Sequence, residues 1–295
     1  MRITLGHPSS FIEGEITITG SKSESNRLLV LKSLFPQILI ENLSNSDDTL
    51  LTNRALKSID SIINIHHAGT AMRFLTAYFA TQQNREVVLT GSQRMQERPI
   101  KLLVDALKDL GAEISYDKKE GYPPLRIKGK KITKSKVALP ADISSQYISA
   151  LILIAPSLEQ GLTIDLIGKL TSAPYVNMTL KILDLLGFDN EFKRNQIKIS
   201  TSKPVKPITW SVESDWSSAS YFYSVVALSR KSNLILSNFK NQSIQGDAAL
   251  PNIYMKLGVN TSFNSGKITL SKIDNFDLSD SLSIVLGNTP DSAQT

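Results

Sequence analysis

Five segments of this chain share one form: a few small polar or glycine residues, then an apolar helical run. Four are "GSKSESNRLLVLKSLF" from Gly20, "HHAGTAMRFLTAYFATQ" from His66, "PADISSQYISALILIAP" from Pro140 and "ESDWSSASYFYSVVALS" from Glu213; a fifth, "NTPDSAQT", begins at Asn288. From the second onward the starts lie roughly 70–75 residues apart. That period exceeds the common solenoid repeats and matches a small α/β subdomain used several times. Amphipathic helices lie between these segments, as in "PIKLLVDALKDLGAEI" from Pro99, "PYVNMTLKILDLLGF" from Pro174 and the shorter "LPNIYMKLGV" from Leu250. Proline in the first turn and glycine past the last mark their two ends. Short β-like runs separate the helices: "EVVLTG", "PLRIKG", "LTIDLIG", "QIKIS", "LILSNF" and "KITLS". The fold class expected is α/β of the α+β kind, without the long runs of an all-parallel sheet.

At about 100–200 residues per domain, 295 residues predict two domains. No low-complexity linker marks the boundary, so the repeat places it near Ser211 to Asp215. The chain has no cysteine, which excludes disulfides, thiolate catalysis and cysteine-held metals. With only His7, His66 and His67 as histidines, no histidine-held metal is expected. The N-terminal "MRITLGHPSSFIEGEITITG" lacks the apolar stretch of a signal peptide, and no segment approaches the about 18 apolar residues of a membrane span. The expectation is a cytoplasmic protein with no membrane partner. The net charge of +6 suits acidic partners. Its densest basic run, "KGKKITKSK" from Lys128, has no interleaved aromatics and reads as a solvated hairpin, so nucleic acid is not expected as a partner.

The helix starts carry cations where the helix dipole is already positive. Lys22 and Arg27 stand in the first segment, Arg73 in the second, Arg94 and Arg98 before Pro99, and Ser144, Ser145 and Gln146 in the third. Acidic residues are the usual choice at such ends. Read separately, each site is ordinary: Ser21, Ser23 and Ser25 cap, glycine turns, and the arginines pair with Glu24, Glu97 or Asp105. Read together, helix N-termini with added Arg and Lys form sites for a ligand bearing several phosphates or carboxylates. Neither G-x-G-x-x-G nor G-x-x-x-x-G-K-[ST] occurs, so nothing supports a nucleotide-driven mechanism.

The ordered series "GSKSESNR", "AGTAMR", "LTGSQRMQERPI", "SSQYISAL", "SAPYVNMTL", "SDWSSASYF" and "NTPDSAQT", from Gly20 to Thr295, resembles the EPSP synthase family. The resemblance implies two domains built from repeated βαβαββ subdomains, with helix N-termini converging on a cleft. It implies transfer of the enolpyruvyl group of phosphoenolpyruvate to the 5-hydroxyl of shikimate 3-phosphate, by addition and elimination, without a cofactor. By resemblance Lys22, Gly69, Arg98 and Gln146 match phosphoenolpyruvate-binding positions, Gly69 because a Cβ there would intrude on the ligand. Lys22, Ser23, Arg27, Ser144, Ser145, Gln146, Ser172, Tyr175 and Asp291 match shikimate 3-phosphate contacts. Lys22 and Asp291 are the implied catalytic residues, Asp291 as base on the 5-hydroxyl. Taken alone, Asp291 serves equally as a helix cap after Pro290; Asp215 is read as an N-cap.

The chain departs from the family pattern in three places. His67 stands for an asparagine, Phe74 for the proline after "AMR", and Ala173 for a basic residue before Pro174. The family's chain also continues past "PDSAQT" into a "KETDR"-like stretch, an "NDHR"-like arginine and a last lysine. The expected organisation is therefore a complete lobe of three subdomains over 21–212 and an incomplete one over 1–20 and 213–295, monomeric, with negligible turnover by this chain alone. The competing readings are a UDP-N-acetylglucosamine enolpyruvyl transferase, whose cysteine loop is missing here, and a non-catalytic anion-binding homologue.

Overall fold

The computed structural model describes residues 10–202 and 206–295; His7 lies outside them. The chain divides into two compact units. One is Lys22–Val212, and the other combines Met1–Ser21 with Glu213–Thr295.

The first unit opens with α1 (Lys22–Leu34), β2 (Ile38–Glu41) and α2 (Asp47–Lys57), after β1 (Phe11–Thr17), which belongs to the other unit. Then come β3 (Ile62–Asn64), α3 (Gly69–Thr81), β4 (Glu86–Thr90), the single turn α4 (Gln93–Gln96), α5 (Lys101–Asp109), β5 (Glu113–Tyr116) and β6 (Leu125–Lys128). A second set follows: β7 (Lys136–Pro140), α6 (Ser145–Ile154), β8 (Leu162–Ile167), α7 (Ala173–Leu185), β9 (Asn190–Lys193) and β10 (Gln196–Ile199). β11 (Ile208–Ser211) closes the unit by pairing parallel to β2. The two sets build sheets of one plan, ordered β3-β4-β6-β5 and β7-β8-β10-β9. In each, the first two strands are parallel across a helix and the last two form an antiparallel hairpin. This is a βαβαββ unit used twice.

The other unit repeats the plan. α8 (Trp216–Leu228), β12 (Lys231–Ser237), α9 (Leu250–Met255), β13 (Val259–Asn264) and β14 (Lys267–Lys272) give the order β1-β12-β14-β13. Its first strand comes from the N-terminal segment, Phe11 facing Lys231 in parallel register. Trp216, Ala219, Tyr223 and Val226 occupy one face of α8 at helical spacing and bury against Phe239, Leu250, Ile268 and Leu270.

Strand and helix patterning follow burial. In β8, Leu162, Ile164 and Leu166 point inward while the intervening residues do not. α5 buries only Leu103, Val104, Ala106 and Leu107, and Gly111, at φ +106°, turns the chain after it. α3 and α6 are different. From Gly69 to Ala80 every residue of α3 is buried, and α6 is buried from Tyr147 to Ile154. Helices apolar all round belong in a core, each large side chain contributing about 1.5–3 kcal/mol. α3 packs on α6, α6 on α7, and α1 on all three. Their N-terminal turns carry the polar motifs, because only a helix end can stay polar when its body is core.

The basic run at Lys128 is a connector rather than the expected hairpin. β6 ends at Lys128 with β4 and β5 as its two neighbours, so β7, starting at Lys136, belongs to the next sheet. No helix among the described residues is long and apolar enough to cross a membrane.

Candidate functional site

Arg27 lies one turn into α1 and is 2% exposed. Its Nε donates to Thr179 Oγ1 at 2.7 Å and Nη1 to the Ser23 carbonyl at 2.7 Å. Nη2 donates to Ser149 Oγ at 3.3 Å and the Tyr175 carbonyl at 3.2 Å. The Phe74 and Tyr175 rings stand 5.4 and 6.0 Å from the guanidinium carbon. Four of five N–H donors are thus engaged, all by neutral oxygens. Burial pulls the guanidinium pKa down to about 10, with the Tyr175 hydroxyl and Glu24 opposing the shift, so the group stays charged at neutral pH. Glu24, fully buried, acts on it through charge, while Glu24 Oε1 accepts from Trp210 Nε1 at 2.6 Å. A buried cation whose hydrogen bonds all go to neutral oxygens retains an N–H and charge for an anionic ligand.

Ser172 and Tyr175 frame the same place from α7. Ser172 precedes the helix in left-handed conformation, φ 52° and ψ 41°, with no capping bond from its side chain. A non-glycine residue held there costs about 1–2 kcal/mol, and such strain concentrates where function fixes the backbone. Ser144 is the N-cap of α6, its hydroxyl accepting from Gln146 N at 3.4 Å, and Ser145 is buried. Gln146 Nε2 donates to Thr70 Oγ1 at 3.3 Å, which ties the starts of α6 and α3 together.

Cations gather at the start of α3. Gly69 opens the helix, and a Cβ on it would stand 2.4 Å from Arg98 Nη1 and 3.1 Å from Arg98 Cζ. The head of Arg98, itself exposed, stands against the glycine. Arg73 is 4% exposed. It donates from Nη1 to the Gly69 carbonyl at 3.0 Å and from Nη2 to the Pro99 carbonyl at 3.2 Å, and its Nε is buried without a partner. Tyr147 stacks 5.9 Å from Arg73 and donates to the same Pro99 carbonyl at 2.6 Å. Burial lowers the Arg73 pKa, and the nearby charge of Arg98 pushes the same way. Lys22 begins α1 and is exposed.

Asp48 of α2 answers these charges, and sequence reasoning missed it. Its Oδ1 accepts from Asn26 Nδ2 at 2.9 Å and from Ala71 N at 3.1 Å, and Thr70 N–H also bonds the carboxylate. Burial raises its pKa, while Lys22, the two backbone N–H groups and Asn26 hold it back. The adjacent pair "DD" at a helix start looks like capping of α2 itself; its second member caps a different helix. Ser25 of the first segment likewise serves elsewhere, its Oγ accepting from Ser44 N at 2.9 Å.

In the other unit, Asp291 sits in a single 3-10 turn, Pro290–Ser292. Asp215 is the N-cap of α8, its Oδ1 accepting from Ser218 N at 2.7 Å. Asp247 is buried and accepts from Ser217 Oγ at 2.5 Å. Burial raises its pKa; Ser217 and Ser292 oppose the rise, and the charges of Asp291 and Asp215 add to it. Of the departures, His67 stands 3.4 Å from Asp47 at the surface, and Phe74 is buried beneath Arg27.

A family model described as EPSP synthase (3-phosphoshikimate 1-carboxyvinyltransferase) matches residues 59–280. A 3-phosphoshikimate 1-carboxyvinyltransferase of Bacteroides fragilis strain YCH46 is 42% identical over 273 residues, covering 92% of this chain and 66% of that protein. One from Pasteurella multocida strain Pm70 is 35% identical over 305 residues, covering 92% and 68%. The solved structure of EPSP synthase from Acinetobacter baumannii superposes with a TM-score of 0.68 at 20% identity, covering 89% of this chain and 64% of that one. The chain spans about two thirds of the length of the curated relatives it matches.

Proposed function

We propose, from the premise that the chain belongs to the EPSP synthase family, that it binds shikimate 3-phosphate and phosphoenolpyruvate and serves enolpyruvyl transfer between them. The 5-hydroxyl oxygen of shikimate 3-phosphate adds to the enol carbon of phosphoenolpyruvate as the methylene carbon gains a proton and becomes a methyl group. The tetrahedral adduct then loses phosphate from that carbon and a proton from the methyl group, which restores the double bond. The observation that carries the reading is Arg27: a buried guanidinium with only neutral hydrogen-bond acceptors, flanked by the strained Ser172 and by Tyr175. In this reading Ser23, Arg27, Ser144, Ser145, Gln146, Ser172 and Tyr175 hold shikimate 3-phosphate. Lys22, Gly69, Arg98 and Gln146 hold phosphoenolpyruvate, Gly69 by giving Arg98 its seat. Asp291 binds the substrate hydroxyls and takes the 5-hydroxyl proton; Lys22 neutralises developing negative charge.

The same proposal takes 21–212 as one lobe of three subdomains, with 1–20 and 213–295 as a second lobe holding fewer. It takes the working form to be a cytoplasmic monomer. Calorimetric titration of the chain with shikimate 3-phosphate, beside phosphate release with both substrates, tests the reading. Saturable binding of shikimate 3-phosphate supports it, and no binding by folded chain rejects it.

A further inference from the structure

The start of α3 is the place where a helix end, Lys22, Arg73 and Arg98 come together. A 13-residue helix leaves its first N–H groups unpaired, and its N-cap Ala68 has no side-chain cap to offer. Such an end takes anions readily. Here it is already taken, by a carboxylate from more than twenty residues upstream: Asp48 Oδ1 lies 3.1 Å from Ala71 N and 2.9 Å from Asn26 Nδ2. The charged groups around it come from every element packed there. Lys22 and Asn26 belong to α1, Asp47 beside Asp48 pairs with His67, Arg73 is one turn into α3, and Arg98 lies between α4 and α5.

We infer that Asp48 is a positioning residue, an internal counter-anion that fills the start of α3 and keeps small inorganic anions out of the cation cluster. The inference rests on the proposed function. A free phosphate is what that reaction releases, and the unblocked end of α3, with three cations beside it, would retain it. With Asp48 in place the helix end is neutralised, and Lys22 and Arg98 act with Gln146 on phosphoenolpyruvate in the proposed reading. The carboxylate thus selects against a bare anion and in favour of one carried by an organic substrate. It acts through the N–H groups of Thr70 and Ala71 and through the charge it sets against Lys22 and Arg73.

The test is titration of the full chain with inorganic phosphate, by calorimetry and by phosphorus NMR, with folding checked by circular dichroism. Asp48→Asn keeps an oxygen for Ala71 N–H and removes the charge; Asp48→Glu keeps the charge. The expected result is phosphate binding about tenfold tighter in Asp48→Asn, the scale of losing one like charge a few ångströms away. Asp48→Glu stays near wild type. A cap with a merely structural role would not produce a gain in anion affinity. Unchanged phosphate affinity in folded Asp48→Asn overturns the inference, and so does failure of Asp48→Asn to fold while Asp48→Glu folds, which would make the carboxylate a structural cap. If Asp48→Asn and Asp48→Glu both fail to fold, the inference also falls. Shikimate 3-phosphate titrated into the same samples keeps the two ideas separate: a wild-type chain that ignores it rejects the proposed function, whatever phosphate does.

Discussion

Replacing Arg27 by methionine separates a ligand-binding cation from a structural strut. The side chain is 2% exposed and makes hydrogen bonds to Thr179, Ser23, Ser149 and Tyr175. Removing one member of a buried charged pair typically costs about 3–5 kcal/mol, because a partner charge is stranded. Glu24, fully buried three residues earlier, is a charge left behind, and its Oε1 keeps its bond from Trp210 Nε1. Thr179 Oγ1 keeps its bonds to the Tyr175 carbonyl at 2.8 Å and to Ser149 Oγ at 2.9 Å, so the acceptors left behind stay paired. The cost of holding the cation out of water goes with it and offsets part of that loss. The unliganded variant should therefore unfold within about 3 kcal/mol of wild type in urea. Binding should respond differently. Loss of a buried charge-assisted contact to an anionic ligand costs about 2–5 kcal/mol, or roughly 30- to 4,000-fold in affinity. Calorimetry with shikimate 3-phosphate reads the second number and urea melts read the first. Unchanged affinity together with a stability loss above about 4 kcal/mol would refute the reasoning and make Arg27 a strut between α1 and α7.

Arg98→Ala removes an exposed side chain, so stability should stay within about 0.5 kcal/mol while phosphoenolpyruvate affinity, measured with shikimate 3-phosphate present, falls by about 2–5 kcal/mol. Ser172→Gly relaxes a left-handed residue at φ 52°; urea melts should show no loss, or a gain of up to about 1 kcal/mol, while shikimate 3-phosphate binds more weakly. A stability loss would mean that the Ser172 hydroxyl holds the fold. Asp48 has a pKa raised by burial, so the folded chain keeps its proton where the unfolded chain releases it, and this residue's contribution to stability rises as pH falls. Wild type should gain stability relative to Asp48→Asn between neutral pH and the upper carboxylate range, in paired urea melts. A shrinking difference contradicts the assigned burial.

The repeat and its helix starts were legible because they are local. Pro174 and Gly187 bound α7, Asp215 caps α8, and a run such as "LTIDLI" alternates by burial within six residues. The same locality explains what was not legible. β1 pairs with β12 more than two hundred residues away, and nothing in "FIEGEIT" names that partner. Arg27 and Arg98 look alike in the sequence, yet one is buried among α1, α6 and α7 and the other is exposed. That a Cβ on Gly69 would meet the head of Arg98 depends on a contact across 29 residues of sequence. Asp48 was invisible because its charge is used on a helix more than twenty residues further along. Side-chain type announces the chemistry available at a site; only tertiary pairing decides which members face inward.

Phe74 shows how a departure from a family pattern can leave a site's physics in place. It stands in the second turn of α3, where a proline would lack the N–H that an interior helical residue donates. Phenylalanine retains that donor and brings a ring, 1% exposed, to 5.4 Å from the Arg27 guanidinium. A buried cation over an aromatic face gains about 2 kcal/mol when desolvated. That gain offsets part of the cost of holding a guanidinium away from water with no carboxylate hydrogen-bonded to it. The substitution therefore touches the inner wall of the arginine's pocket and leaves its one uncommitted N–H untouched, so the change in sequence falls on how the cation is supported rather than on whether a cation is there.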